Sequence, residues 1–160
     1  MLYFQSNKSS YSFTCDHEII GKMSFPKWYS SNATVDYRHE KLELTQKSVW
    51  NSTYDILKKG FSIGRIKMDW KGFVKISLRD FNKRVCEFTV KHRGVLKSRY
   101  EVLDENRRLI LTLHQTGHWF KVHPDFRVEV NRETSFRDQE HLCIYTLFAA
   151  KIFISHSAVG

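Results

Sequence analysis

Cysteine, proline and glycine are all scarce in this chain of 160 residues, which contains 3 Cys, 2 Pro and 7 Gly. Collagen-like and low-complexity proteins need far more Gly and Pro, so both classes are excluded. Three scattered cysteines are too few for a disulfide scaffold. Because their number is odd, we predict that Cys15, Cys86 and Cys143 are unpaired thiols in a reducing, cytosolic setting.

Long hydrophobic runs are also missing, and the mean hydropathy is −0.46. The longest apolar stretch, residues 142–154, contains one charged residue, Lys151. It is too short to span a bilayer as a helix, which takes ~20 residues. A helix that is apolar on all sides is buried on all sides. The alternative is a buried β-strand, since Ile and Phe dominate the second half, but the length and Ala149-Ala150 favour a helix.

Signatures of catalysis and of metal binding are weak. Residues 60–64, Gly-Phe-Ser-Ile-Gly, match a nucleophile elbow. That motif requires a strand before the serine and a helix after it, whereas a strand pattern follows here. Residues 114–118, His-Gln-Thr-Gly-His, place two histidines four apart, but in a turn pattern rather than on the helix that a zinc motif requires. We therefore predict a protein that is not an enzyme and has no cofactor and no metal site.

What the chain does contain is short alternating segments separated by turn residues, which is the pattern of antiparallel strands. The segment 1–7 resembles the remnant of an expression tag, so we exclude it and assign residues 8–160 to a single domain. Twelve strands are predicted, at residues 11–15, 22–25, 34–37, 41–45, 53–57, 63–69, 73–79, 84–92, 95–103, 109–113, 119–122 and 127–130.

Two hairpins can be aligned from the sequence. A three-residue loop ending in Gly72 suits a type I turn with a bulge, and it places Lys67 directly opposite Lys75. In the second hairpin, a turn at Glu105-Asn106 pairs Tyr100 with Leu111. Both alignments place apolar side chains on one face and polar ones on the other, as expected for a sheet with one wet face.

The net charge of +9 is concentrated in the centre of the chain. Residues 58–108 hold 15 Lys and Arg against 6 Asp and Glu, and the remainder is neutral. Such a surface attracts polyanions. The first hairpin places four basic side chains on its outer face, and we predict that they form a phosphate-binding site: Arg65, Lys67, Lys75 and Arg79. The alternative is a solvated face that only keeps the protein soluble.

Residues 100–104, Tyr-Glu-Val-Leu-Asp, and 108–113, Arg-Leu-Ile-Leu-Thr-Leu, form a unit of strand, Asp, turn and strand. Residues 67–76 contain a looser unit of the same kind. With the apolar C-terminal segment, these units resemble the Tubby C-terminal-like superfamily, in particular its LURP-one-related and phospholipid-scramblase-like branch. The resemblance implies a mainly β fold: a closed antiparallel barrel of about twelve strands around a buried hydrophobic C-terminal helix.

The same resemblance implies attachment to an anionic membrane lipid, such as a phosphoinositide-like headgroup, through a basic outer face. The protein would then be cytoplasmic and peripheral at the inner face of the membrane. A second hypothesis is nucleic-acid binding, because residues 71–76, Lys-Gly-Phe-Val-Lys-Ile, partly match an RNA-binding strand motif. The second aromatic of that motif is missing here. The third is a structural or partner-binding domain without a small ligand.

Overall fold

The structure, a computed structural model, describes residues 1–27, 31–48, 50, 52–79, 82–117, 123–133 and 139–157. These residues form twelve β-strands followed by one α-helix. The strands are β1 (Leu2–Asn7), β2 (Ser10–Cys15), β3 (Glu18–Ser24), β4 (Ala33–Tyr37), β5 (Glu40–Ser48), β6 (Thr53–Lys58), β7 (Phe61–Met68), β8 (Val74–Arg79), β9 (Val85–Arg93), β10 (Arg99–Leu103), β11 (Leu109–Thr116) and β12 (Asp125–Val130), and the helix is α1 (Gln139–Ser157).

Each strand pairs antiparallel with the next, and β12 pairs with β1, so the sheet closes into a barrel without free edges. This confirms the predicted fold class. The inward side chains are apolar and form one core with the helix. Every residue of α1 from Leu142 to Ala150 is buried, so the helix is surrounded by protein on all sides. The prediction of a helix rather than a strand is confirmed.

Strand β1 corrects the exclusion of residues 1–7 from the fold. It pairs with β2 along its whole length and with β12 at Tyr3 and Phe4. Phe4 has no exposed surface and packs edge-to-face on Phe13, at 5.1 Å between ring centroids. The alternation of this segment supplies an inward aromatic that the core needs, so the barrel begins at residue 2 rather than 8. The origin of the segment as a tag remnant stays a prediction.

The β7–β8 hairpin has the predicted register, with Lys67 opposite Lys75. Its turn is closed by two backbone hydrogen bonds, and Gly72 has a φ of 87°. In the β10–β11 hairpin the predicted register is wrong by two residues, since Tyr100 lies opposite Leu113. The reason is a longer turn in which Arg107 adopts a φ of 60°, together with a bulge between Val102 and Leu103. A shift of two keeps every side chain on its predicted face.

Two other predicted strands need comment. The segment 95–103 becomes a strand only from Arg99, because Gly94 adopts a φ of 84° and starts a turn. A Cβ at Gly94 would lie 2.5 Å from the carbonyl oxygen of Lys97, so only glycine fits there. The predicted strand at 119–122 lies outside the described residues.

Because neighbouring strands alternate in direction, their connections fall into two sets at opposite ends of the barrel. Those that follow odd-numbered strands form the lower rim, whose described residues are 8–9, 25–27, 31–32, 50, 52, 69–73, 94–98, 117 and 123–124. Those that follow even-numbered strands form the upper rim, whose described residues between strands are 16–17, 38–39, 59–60, 82–84 and 104–108. Helix α1 begins at the upper rim, where Glu140 meets Arg38, and ends at the lower rim, where Lys151 meets Phe25.

Candidate anion-binding surface

The outer face of the β7–β8 hairpin carries the like-charge pair that the sequence predicts. Lys67 and Lys75 are direct cross-strand partners and both are exposed. The Cβ atoms of such partners lie ~5 Å apart. Neither lysine has an ion-pair partner among the described residues, so their mutual repulsion is uncompensated there. A phosphate group between the two ammonium groups would relieve it.

The other two predicted site residues share this face but stand apart from the lysine pair. The Nε of Arg65 lies 3.4 Å from a carboxylate oxygen of Asp55, its cross-strand partner on β6, so its charge is already compensated. Arg79 ends β8 at the upper rim, four residues beyond Lys75 and therefore ~13 Å along the strand. The structure thus brings Lys67 and Lys75 together and leaves Arg65 and Arg79 at its periphery.

Aromatic rings accompany the lysines of this hairpin. The Nζ of Lys75 lies 6.0 Å from the ring centroid of Phe73, and the Nζ of Lys71 lies 5.5 Å from that of Trp70. Phe73 therefore lies on the same face of the hairpin as Lys75. The carboxylate of Asp69 accepts a hydrogen bond from the backbone N–H of Lys71 at 2.9 Å, which engages it in shaping the turn.

Some of the other basic residues of the central segment have carboxylate partners. On β9 and β10, Arg93 and Arg99 both contact the carboxylate of Glu101, at 3.4 and 3.1 Å. At the upper rim, Arg108 contacts Asp104 at 2.9 Å. In the β7–β8 hairpin, by contrast, Lys67, Lys71 and Lys75 lie close together and have no ion-pair partner among the described residues.

A polar cluster at the upper rim ties the start of α1 to the barrel. Glu40 bonds His141 through one carboxylate oxygen and Lys58 through the other, both at 3.0 Å. These two hydrogen bonds, His141 first, hold the pKa of Glu40 below its usual range. Tyr37 packs edge-to-face against the imidazole of His141. The cluster has a structural explanation, since it fixes the helix relative to β4, β5 and β6.

Lys151 is the one charged residue of the apolar segment 142–154 and lies in the second half of α1. Its ammonium group lies 3.3 Å from the centroid of the Phe25 ring. Burial lowers its pKa to about 8. The side chain also lines a cavity of ≈ 100 Å³ together with Ser31, Tyr54, Phe148, Ile152, Ser155 and His156. The signal in the sequence was a single charge within an otherwise apolar segment.

The histidines and cysteines of the described part of the chain can be checked for metal-binding clusters and disulfides. There, no group of three His, Cys, Asp or Glu side chains is placed to hold a metal ion. His114 bonds Glu129 at 3.0 Å, and its motif partner His118 lies outside the described residues. Cys15, Cys86 and Cys143 are free thiols, as predicted, and burial raises the pKa of Cys143 to about 12.

Comparison with known proteins found no matching family model, no matching curated protein and no matching solved structure. The resemblance to the Tubby C-terminal-like superfamily therefore stays a prediction, carried by the residues quoted for it. Within the described residues, no helix combines the length and the apolar character needed to cross a bilayer.

Proposed function

We propose that this protein is a non-catalytic binding module that attaches to anionic, phosphate-bearing membrane surfaces through the β7–β8 hairpin. The observation that carries the proposal is the exposed Lys67–Lys75 pair, two like charges in direct cross-strand register without an ion-pair partner among the described residues. Like charges at such positions destabilise a sheet by up to ~1 kcal/mol. An anion that binds between the two ammonium groups removes this repulsion, and the relief adds to the free energy of binding.

Lipid phosphate fits the surroundings of the pair. Lysine binds phosphate as a point charge, and a doubly phosphorylated headgroup would offer two anionic groups to two ammonium groups. Arg79 extends the positive face beyond the pair and adds long-range attraction rather than a direct contact, whereas Arg65, paired with Asp55, adds little. The cytoplasmic leaflet of cell membranes is anionic and attracts such segments with ~1 kcal/mol per basic residue. We therefore place the protein at that leaflet.

The test compares two double variants that each remove two positive charges from the outer face. Lys67→Gln/Lys75→Gln removes the proposed site. Lys22→Gln/Lys41→Gln is the matched control, because both lysines are exposed cross-strand neighbours of Asp36 on β4, whose carboxylate lies 3.9 Å from the Nζ of Lys41. Partitioning is measured by sedimentation with vesicles of phosphatidylcholine alone, with phosphatidylserine, and with a phosphatidylinositol bisphosphate.

We expect the unmodified protein to bind both kinds of anionic vesicle, more tightly when the bisphosphate lipid is present. The site variant should lose ~30-fold in partitioning, the equivalent of two basic residues near a lipid surface, whereas the control should lose little. Equal losses in the two variants would show that only diffuse charge matters. Absence of binding by the unmodified protein at low salt would refute the proposal.

Nucleic-acid binding remains a second candidate because the Phe73 ring and Lys75 share the outer face. Bases stack on exposed aromatic rings beside positive charge. A single-stranded oligonucleotide should therefore be added to the vesicle assay as a competitor. If it displaces the protein from vesicles at equal phosphate concentration, with a steep dependence on salt, nucleic acid is the better ligand.

A further inference from the structure

Three neighbouring connections of the lower rim expose large apolar side chains almost completely. Trp50, between β5 and β6, is 95% exposed, and Trp70, between β7 and β8, is 89% exposed. Between β9 and β10, Val95 is 96% exposed and Leu96 is 72% exposed. Side chains of this size are seldom left in water in such a group without a binding role.

The barrel topology places these tips side by side. Strands β5 to β10 are consecutive neighbours in the sheet, so the three connections occupy adjacent positions on one end of the barrel. Successive tips are separated by two strand spacings, or ~10 Å. Exposed apolar side chains at this spacing suit penetration of a soft, continuous surface rather than insertion into one groove of a partner protein.

The charges around the tips favour an anionic partner. Lys71 and Lys97 flank the apolar side chains within the same connections, and the Lys67–Lys75 pair lies directly behind Trp70. Among the described residues of these three connections the one carboxylate is Asp69, which is engaged with the backbone of its own turn. Tryptophan prefers the boundary between headgroups and acyl chains, and lysine beside it reaches the phosphates.

The upper rim provides the contrast. Ile19 and Phe61 lie beside its connections and are each 76% exposed. Carboxylates surround that end, among them Asp16, Glu40 and Asp104, which take part in ion pairs. Exposed apolar area therefore occurs at both ends of the barrel, and at the upper rim Lys59 stands beside Phe61. The difference lies in the carboxylates, since the three described connections of the lower rim contain one, Asp69, and in the two tryptophans, which both lie at the lower rim.

We infer that the lower rim is a membrane-insertion surface, in which Trp50, Trp70 and the Val95-Leu96 tip enter the headgroup region of an anionic bilayer while the neighbouring lysines contact lipid phosphates. The inference rests on the proposed function and specifies its geometry, in which the lower rim of the barrel faces the membrane. Binding then has an apolar component in addition to the electrostatic one, and it persists in part at salt concentrations that screen the lysines.

The test uses the full chain and two double variants. Trp50→Ala/Trp70→Ala removes two insertion tips, and Ile19→Ala/Phe61→Ala removes equally apolar, exposed side chains from the opposite end. All four side chains are exposed, so both variants should melt within a few degrees of the unmodified protein. Vesicles contain phosphatidylcholine and phosphatidylserine, and a second set carries lipids brominated near the top of the acyl chains.

We expect the tryptophan variant to lose partitioning ~100-fold, about tenfold for each half-buried tip, and the control to bind as the unmodified protein does. Brominated lipid should quench the fluorescence of the unmodified protein, and the tryptophan variant should lose most of that quenching. If the tryptophan variant binds as tightly as the unmodified protein and bromine quenches neither, insertion is refuted while electrostatic attachment stands. If the unmodified protein binds no anionic vesicle at all, the proposed function and this inference fail together.

Discussion

Replacing Lys151 by methionine tests how the helix C-terminus is packed. The ammonium group of Lys151 lies over the Phe25 ring within the barrel end, and burial lowers its pKa from 10.5 to about 8. A lowered lysine pKa means that the folded state disfavours the charged form. Below pH 8 Lys151 is protonated in the folded and in the unfolded state, so the folded state bears the whole cost of desolvating the ammonium group. Between pH 8 and 10.5 the folded state releases its proton first, and stability rises with pH.

Methionine has a similar length and no charge, so Lys151→Met should remove this cost. The difference between the two pKa values corresponds to ~3 kcal/mol as an upper bound. The side chain is only partly buried, and the Phe25 ring stabilises the ammonium group. We therefore expect a gain of about 1 kcal/mol in the free energy of unfolding at pH 7, or an increase of ~2–4 °C in the melting temperature. The gain should shrink towards zero near pH 10.5.

The assay is urea unfolding between pH 6 and 10 for the unmodified protein, Lys151→Met and the exposed control Lys22→Met. The quantity to examine is the difference between variants at each pH, because Tyr11 and Tyr100, whose pKa values burial raises, affect all three proteins alike. A destabilised Lys151→Met at pH 7 would refute the reasoning. So would a gain that is constant with pH or is matched by Lys22→Met.

Two further predictions concern the attachment of the helix to the barrel. Phe148 is 1% exposed and packs edge-to-face on Tyr54, so Phe148→Ala should lower the free energy of unfolding in urea by ~3–5 kcal/mol. The control Phe61→Ala removes an exposed ring and should change it by less than about 0.5 kcal/mol. Equal effects of the two variants would show that the helix does not fill the barrel. Glu40→Gln should lower the free energy of unfolding by ~0.5–1 kcal/mol at pH 7, because it weakens the bonds to Lys58 and His141. Since the pKa of Glu40 is lowered in the folded state, this difference should vanish as the pH falls below the ordinary carboxylate range. A difference that persists in acid would contradict the assigned role.

Much of the barrel could be predicted because its information is local. Alternation of apolar and polar residues indicates a strand in a sheet with one buried face and one solvent-exposed face. A three-residue loop that ends in Gly72 fixes the register of the two strands that it connects. The terminal helix was predictable from a run without a polar face. The β10–β11 register was not, because Arg107 adopts a left-handed conformation that glycine usually marks.

What could not be predicted depends on contacts distant in sequence. Phe4 is a core residue because Phe13 and β12 lie beside it. The sequence of residues 1–7 alone does not indicate these contacts. The neutralisation of Arg65 required the β6–β7 register, which places Asp55 opposite it. The cavity at Lys151 is lined in part by Ser31, which lies between β3 and β4 and is distant from the helix in sequence. Charge patterns in a sequence locate basic strands, but only the register shows which charges stay uncompensated.

The register also shows which basic side chains of the outer surface have a carboxylate beside them. Along β9 and β10, Arg93 and Arg99 share the single carboxylate of Glu101, which compensates one of their two charges. Along β7 and β8 the outward neighbours of Lys67 and Lys75 are Thr53 and Thr89, which offer no charge to compensate the lysines. Since this pair adjoins the exposed Trp70 tip, the partner that we propose presents anionic groups above an apolar layer. A phospholipid bilayer has that arrangement, whereas a nucleic acid or a free phosphate has no apolar layer to receive Trp50 and Trp70.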